Sequence, residues 1–70
     1  MELKWEEGFQ IKVGVDGDTA IIAANREGLL SLARIFSGLA EEKPGSHIHL
    51  DEYNSLEENS AGLIVEKIES

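Results

Sequence analysis

The chain contains no cysteine. That excludes disulfide staples and thiolate-bound zinc, and it suits a reducing compartment. Basic residues are also scarce, with 6 Lys and Arg against 14 Asp and Glu, for a formal net charge of −8. The imbalance is uneven, because residues 41–70 hold eight of the acids and only two of the bases. Such a surface repels phosphate backbones, which argues against a nucleic-acid partner and for a basic protein partner. The plainer account is that acidity keeps a small domain in solution. No apolar run approaches the roughly 18 residues of a spanning segment, so no membrane role is expected. The opening "MELKWEEGFQ" lacks a basic stretch followed by an apolar one, so it does not read as a signal peptide, and a cytoplasmic location is expected.

What is present is a patterned chain with 41% hydrophobic residues, which indicates a folded domain rather than disorder. Seventy residues make one domain, 1–70, close to the lower size limit. Its stability must come from one core, extended by any self-association.

Phe9, Ile11, Val13 and Val15 alternate with Gln10, Lys12, Gly14 and Asp16, the period of a half-buried strand. Asp16-Gly17 follows as a two-residue turn signal. The return strand "TAIIAA" is apolar on both faces, which suggests a central or covered position. Trp5 stands just before the first strand, placed to fold over a sheet edge. Asn25 offers an N-cap to a helix over 26–42, with Leu29, Leu32, Ala33, Phe36, Leu39 and Ala40 on its apolar face. Ser31, Arg34 and Gly38 fall opposite. Gly38 marks a weak last turn or a close contact, and Pro44-Gly45 ends the helix. "SHIHLDE" then turns Ile48 and Leu50 inward and His47, His49 and Asp51 outward. Tyr53–Ser60 is a polar connection anchored by Leu56. "AGLIVEKI" is the last strand, with Leu63 and Val65 facing one way and Ile64, Glu66 and Ile68 the other. This predicts an α+β fold of ββαββ order, a two-layer sandwich with one helix packed on a mainly antiparallel four-stranded sheet. Its second face would carry Ile22, Ile64 and Ile68. A homodimer through that face, or through an edge strand, is the candidate assembly.

Of the chemical motifs, His47, His49 and Asp51 share one strand face, and two imidazoles with a carboxylate suit zinc, nickel or iron. The row also resembles the His-x-His-x-Asp-His signature of the metallo-β-lactamase fold. Glu52 stands where that signature has its last His, however, and the chain holds no third histidine. Same-face strand neighbours lie about 7 Å apart, beyond zinc's ligand-to-ligand reach without bending. A solvated face or a polar interface row is the simpler account, and no cofactor is implied. Asp16 and Asp18 lack the further ligands of a calcium loop. "GVDG" lacks the Lys-Ser/Thr ending of a phosphate loop, and no serine sits in a nucleophile elbow. In "DEYNSLEENS", Asp51, Glu52, Glu57 and Glu58 gather around Tyr53 and Asn54. General acid–base work would need a pocket that separates paired carboxylates. An acidic loop beside an aromatic is also what an inhibitor presents to a positively charged site.

Taken together, "ANREGLLSLARIF" and "HIHLDEYNSLEENSAGLIVEKI" resemble the immunity protein 32 family of bacterial polymorphic toxin systems. The resemblance spans about Ala24 to Ile68 and is most specific from His47 through Ser60. Family members commonly have Gly where Asn59 stands, and Asn is the next best residue for a left-handed backbone. The resemblance implies a small cytoplasmic protein, not an enzyme, that binds and neutralises a cognate toxin. It supplies no binding residues. The residues themselves nominate His47, His49, Asp51, Glu52, Tyr53, Asn54, Glu57 and Glu58 as the surface for a basic toxin domain. The alternatives are an orphan structural or dimerisation domain, or a small metal-binding domain built on His47, His49 and Asp51.

Overall fold

Strict alternation builds the first hairpin. Strand β1 (Ile11–Asp16) buries Ile11 and Val13 and exposes Lys12. It pairs antiparallel with β2 (Thr19–Ala24) from Ile11 opposite Ala24 to Asp16 opposite Thr19. The central turn residues are therefore Gly17 and Asp18, one position later than the Asp16-Gly17 signal suggests. Of the two, Gly17 alone takes positive φ, at 63°, the sign pattern of a type II′ turn. The computed structural model describes residues 1–69.

Phe9 lies outside the strand that its alternation predicts. Its N–H donates to Glu6 O at 3.1 Å in a turn, and its ring stacks on Trp5 with centroids 4.6 Å apart. Both aromatics pack against the core. β2 is neither central nor covered, contrary to its apolar sequence. Among the described residues it pairs on one side only, and Thr19 through Ala23 are exposed.

Helix α1 (Arg26–Ala40) begins where expected and stops two residues early. Asn25 Oδ1 accepts from Gly28 N–H at 2.8 Å and from Gln10 N–H at 2.9 Å, while its Nδ2 donates to Gly8 O at 2.9 Å. One side chain thus caps the helix and ties the preceding arm to it. At the other end the Lys67 ammonium donates to Ala40 O at 2.7 Å and to Glu42 O at 2.6 Å, placing a cation at the negative end of the helix dipole.

The helix is rotated from the expected face. Gly28, Ser31, Leu32, Ile35 and Leu39 are buried, whereas Leu29, Ala33, Phe36 and Ala40 are exposed. Two local features account for the rotation. Ser31 tolerates complete burial because its hydroxyl donates to Glu27 O and accepts from Glu6 N–H, both at 2.8 Å. Gly28 admits the first turn against β1, since a Cβ there would sit 2.5 Å from Gln10 O and 2.9 Å from Ile11 Cγ1. Residues 1–9 then run along one flank of α1. The Arg34 guanidinium meets the Glu6 carboxylate at 2.8 Å, and a Cβ on Gly38 would touch Met1 Cε at 2.9 Å, which favours the close contact over the weak last turn at that glycine.

The second hairpin pairs β3 (His47–Leu50) with β4 (Leu63–Glu66), His47 opposite Glu66 and Leu50 opposite Leu63. Leu63 and Val65 are partly buried and Ile64, Glu66 and Ile68 exposed, as their alternation predicts. The expected four-stranded sheet does not form. The strands make two separate two-stranded antiparallel sheets, β1-β2 and β3-β4, in an α+β arrangement. What takes the free edge of β1 is the connection itself. Glu57 N–H donates to Ile11 O and Ala61 N–H to Val13 O, both at 2.8 Å, and Ser60 Oγ accepts from Val13 N–H at 3.2 Å. Between these bonds the backbone turns, with Ser60 N–H on Glu57 O at 3.1 Å and Asn59 at φ 69°. That kink prevents a continuous ladder. Asn59 does occupy a left-handed position, as the residue type suggested. The core cluster joins both hairpins, with Ile11, Val13, Leu32, Ile35, Ile48, Leu50 and Leu56 in mutual contact.

Candidate partner-binding surface

Short-range side-chain bonding sets the shape of the 51–60 loop. Asp51 Oδ1 accepts from Tyr53 N–H at 2.9 Å and Asn54 N–H at 3.1 Å, an Asx-type turn. Asn54 returns the bond, its Oδ1 accepting from Asp51 N–H at 3.0 Å and its Nδ2 donating to His49 O at 3.0 Å. Leu56 is buried beneath, and its N–H donates to Asp51 O at 2.9 Å. The Glu52 carboxylate accepts from Asn59 N–H at 2.8 Å, which closes the loop across its mouth. A segment with little regular secondary structure is thereby held in one shape.

That scaffold holds Tyr53 away from the body of the protein, at 90% exposure. Glu52, Tyr53 and Glu58 line a shallow cleft of about 450 Å³. Glu57 is exposed too, but borders a different depression, with Gln10, Lys12 and Asn25. The loop thus gathers Glu52, Tyr53 and Glu58, and sets Glu57 to one side.

The histidines behave as their alternation predicts, both exposed on one face of β3. Their rings meet edge to face with centroids 4.9 Å apart, closer than the strand repeat alone suggests. His47 Nδ1 lies 3.2 Å from Gly45 O. Asp51 does not extend the row as expected. β3 ends at Leu50, and the Asp51 carboxylate is engaged by the amides of its own loop. Among the described residues no group of three His, Cys, Asp or Glu side chains is placed to hold one metal ion.

His47 and His49 instead border a groove of about 650 Å³, together with Met1, Leu3, Leu39 and Ile48. The sequence reading missed this groove because it gave residues 1–8 no element. The two-residue spacing of Leu3 and Trp5 was the available signal that the arm has a core-facing side. The candidate residues therefore fall on separate features: His47 and His49 on a groove of mixed polar and apolar lining, Glu52, Tyr53 and Glu58 on an acidic cleft, and Glu57 beside a third depression. No helix among the described residues is long and apolar enough to cross a membrane.

By fold and site, this is a small α+β protein whose distinguishing feature is an acidic, aromatic-tipped loop braced by its own hydrogen bonds. The family model for immunity protein 32 matches residues 19–68, from the start of β2 past the end of β4, and the chain belongs to that family. The match takes in the whole of α1 and of the 51–60 loop, and leaves out β1 and the amino-terminal arm. Comparison with curated proteins and with solved structures returned no significant match.

Proposed function

We propose that the chain neutralises a cognate bacterial toxin by direct binding, acting in the cytoplasm without catalysis of its own. The contact surface is the loop with Glu52, Tyr53, Asn54, Glu57 and Glu58, extended by His47 and His49. The observation that carries this reading is Tyr53, 90% exposed on a loop whose backbone is fixed by Asp51, Asn54 and Glu52. A large, rigid aromatic loses little conformational freedom on binding and is a frequent hot spot. The flanking carboxylates supply attraction to a basic partner such as a nuclease domain, whose active face must bind polyanions. Asp51 serves as a positioning residue, since its carboxylate holds the loop.

The test is titration of the toxin domain encoded beside this gene, at rising salt. Affinity should fall as salt rises, and Glu57→Lys with Glu58→Lys should slow association. Salt-insensitive binding, or unchanged association with both charges reversed, contradicts the surface assignment. Absence of binding to the neighbouring toxin contradicts the function.

A further inference from the structure

β2 is an edge strand with no protection. Among the described residues it pairs with β1 alone, and none of Thr19–Ala24 is charged or proline. Sheet edges are ordinarily blunted by charges, prolines or bulges. Residues flanking a two-residue turn form a hydrogen-bonded pair, here Asp16 with Thr19, and pairing alternates from there. Ala20, Ile22 and Ala24 therefore send their N–H and C=O groups outward. The same alternation shows on the far side of β1, where the Ile11 and Val13 carbonyls accept from Glu57 and Ala61.

Apolar surface adjoins that edge. Ile22 is 43% exposed, although it lies opposite the buried Val13. On α1, Leu29 is 55% exposed, and Ala33 and Phe36 continue its stripe. The amino-terminal arm covers the flank of α1 that bears Ser31, Arg34 and Gly38, so Leu29, Ala33 and Phe36 form the opposite flank. The free edge of β2 and the exposed Ile22 beside it form one uncovered apolar strip.

We propose that this edge is the interface of a two-fold homodimer in which β2 pairs antiparallel with β2 of a second copy, centred on Ile22. The charge pattern selects a second copy as the occupant. With Ile22 facing its own counterpart, Ala20 faces Ala24 and Asp18 faces Arg26, and the two-fold repeats each pairing. Asp18, just before β2, and Arg26, which opens α1 and also meets the Glu27 carboxylate at 3.3 Å, are thus brought opposite each other twice, with about six new backbone hydrogen bonds between them. The acidic surplus lies mostly in residues 41–70, whose loop borders the other edge of β1, away from this contact. The product is a continuous sheet in the order β1-β2-β2-β1. The toxin-facing loop stays free, so the dimer does not depend on the proposed function.

Sedimentation equilibrium of the chain alone, from about 1 μM to about 1 mM, tests this. The mass should rise from 7.7 kDa toward twice that value. Asp18→Arg or Arg26→Asp alone should weaken association about tenfold, and the double exchange should restore it to within about threefold. Ile22→Lys should leave a folded monomer, with the amide spectrum confirming the fold. A constant 7.7 kDa across the range overturns the proposal. So does a dimer indifferent to all three changes, a charge exchange without rescue, or an edge that pairs only with a toxin strand.

Discussion

The backbone N–H of Glu57 donates to the carbonyl of Ile11 at 2.8 Å, which fastens the acidic loop to β1 at its fully buried Ile11. The bond reaches across 46 residues of chain and stands where a third strand of the first sheet would have paired. Asn59, at φ 69°, makes the turn that lets the segment bond at Ile11 and again at Val13. Asn59→Gly should leave stability unchanged or slightly raised. Asn59→Val should cost about 1–2 kcal/mol, read by chemical denaturation, because a β-branched side chain opposes the left-handed backbone.

At Gly28 the usual helix preference should reverse. Alanine in a helix interior normally gains about 1 kcal/mol over glycine. Here its Cβ would lie 2.5 Å from Gln10 O, so Gly28→Ala must push the first turn off β1. A loss of about 1–3 kcal/mol is expected in urea unfolding, as for other overpacked sites.

Lys67 joins the end of β4 to the end of α1, its ammonium shared by the Ala40 and Glu42 carbonyls. Lys67→Met keeps much of the apolar stem and removes the charge. A loss of about 1 kcal/mol is expected, concentrated in hydrogen-exchange protection of the last helical turn.

The rotation of α1 is testable by contrast. Ile35→Ala should cost about 2–5 kcal/mol, because Ile35 is buried in the core. Leu29→Ala, on the exposed stripe, should change monomer stability by less than about 0.5 kcal/mol. Similar losses at both positions would place the helix on the face that its leucines suggest.

Much of the local structure was legible in the sequence. Alternation located the strands, Asn25 marked the helix start, and Ile48 and Leu50 were correctly turned inward. Which face of α1 is buried was hidden, because its core stripe includes a serine and a glycine. Partners distant in sequence, Glu6 for Ser31 beside its local bond to Glu27 O, and Gln10 for Gly28, make those residues suitable for burial. The four-stranded sheet was a reasonable sum of four strand patterns, but pattern does not disclose that a loop takes a strand's place. The site was legible as composition and illegible as geometry. Asp51 carries the same letter whether it lines up with His47 and His49 or caps its own loop. Only the bonds to Tyr53 and Asn54 distinguish the two.

The most direct test of the proposed contact surface is calorimetric titration of a toxin domain encoded beside this gene with the wild-type chain and with Tyr53→Ala. Tyr53 lies almost wholly in solvent, so the substitution should leave unfolding stability within about 0.5 kcal/mol. Affinity for the toxin should fall about thirtyfold or more, the loss expected of an aromatic hot spot. Equal affinity for the toxin with Tyr53 removed would contradict the loop as the site of recognition.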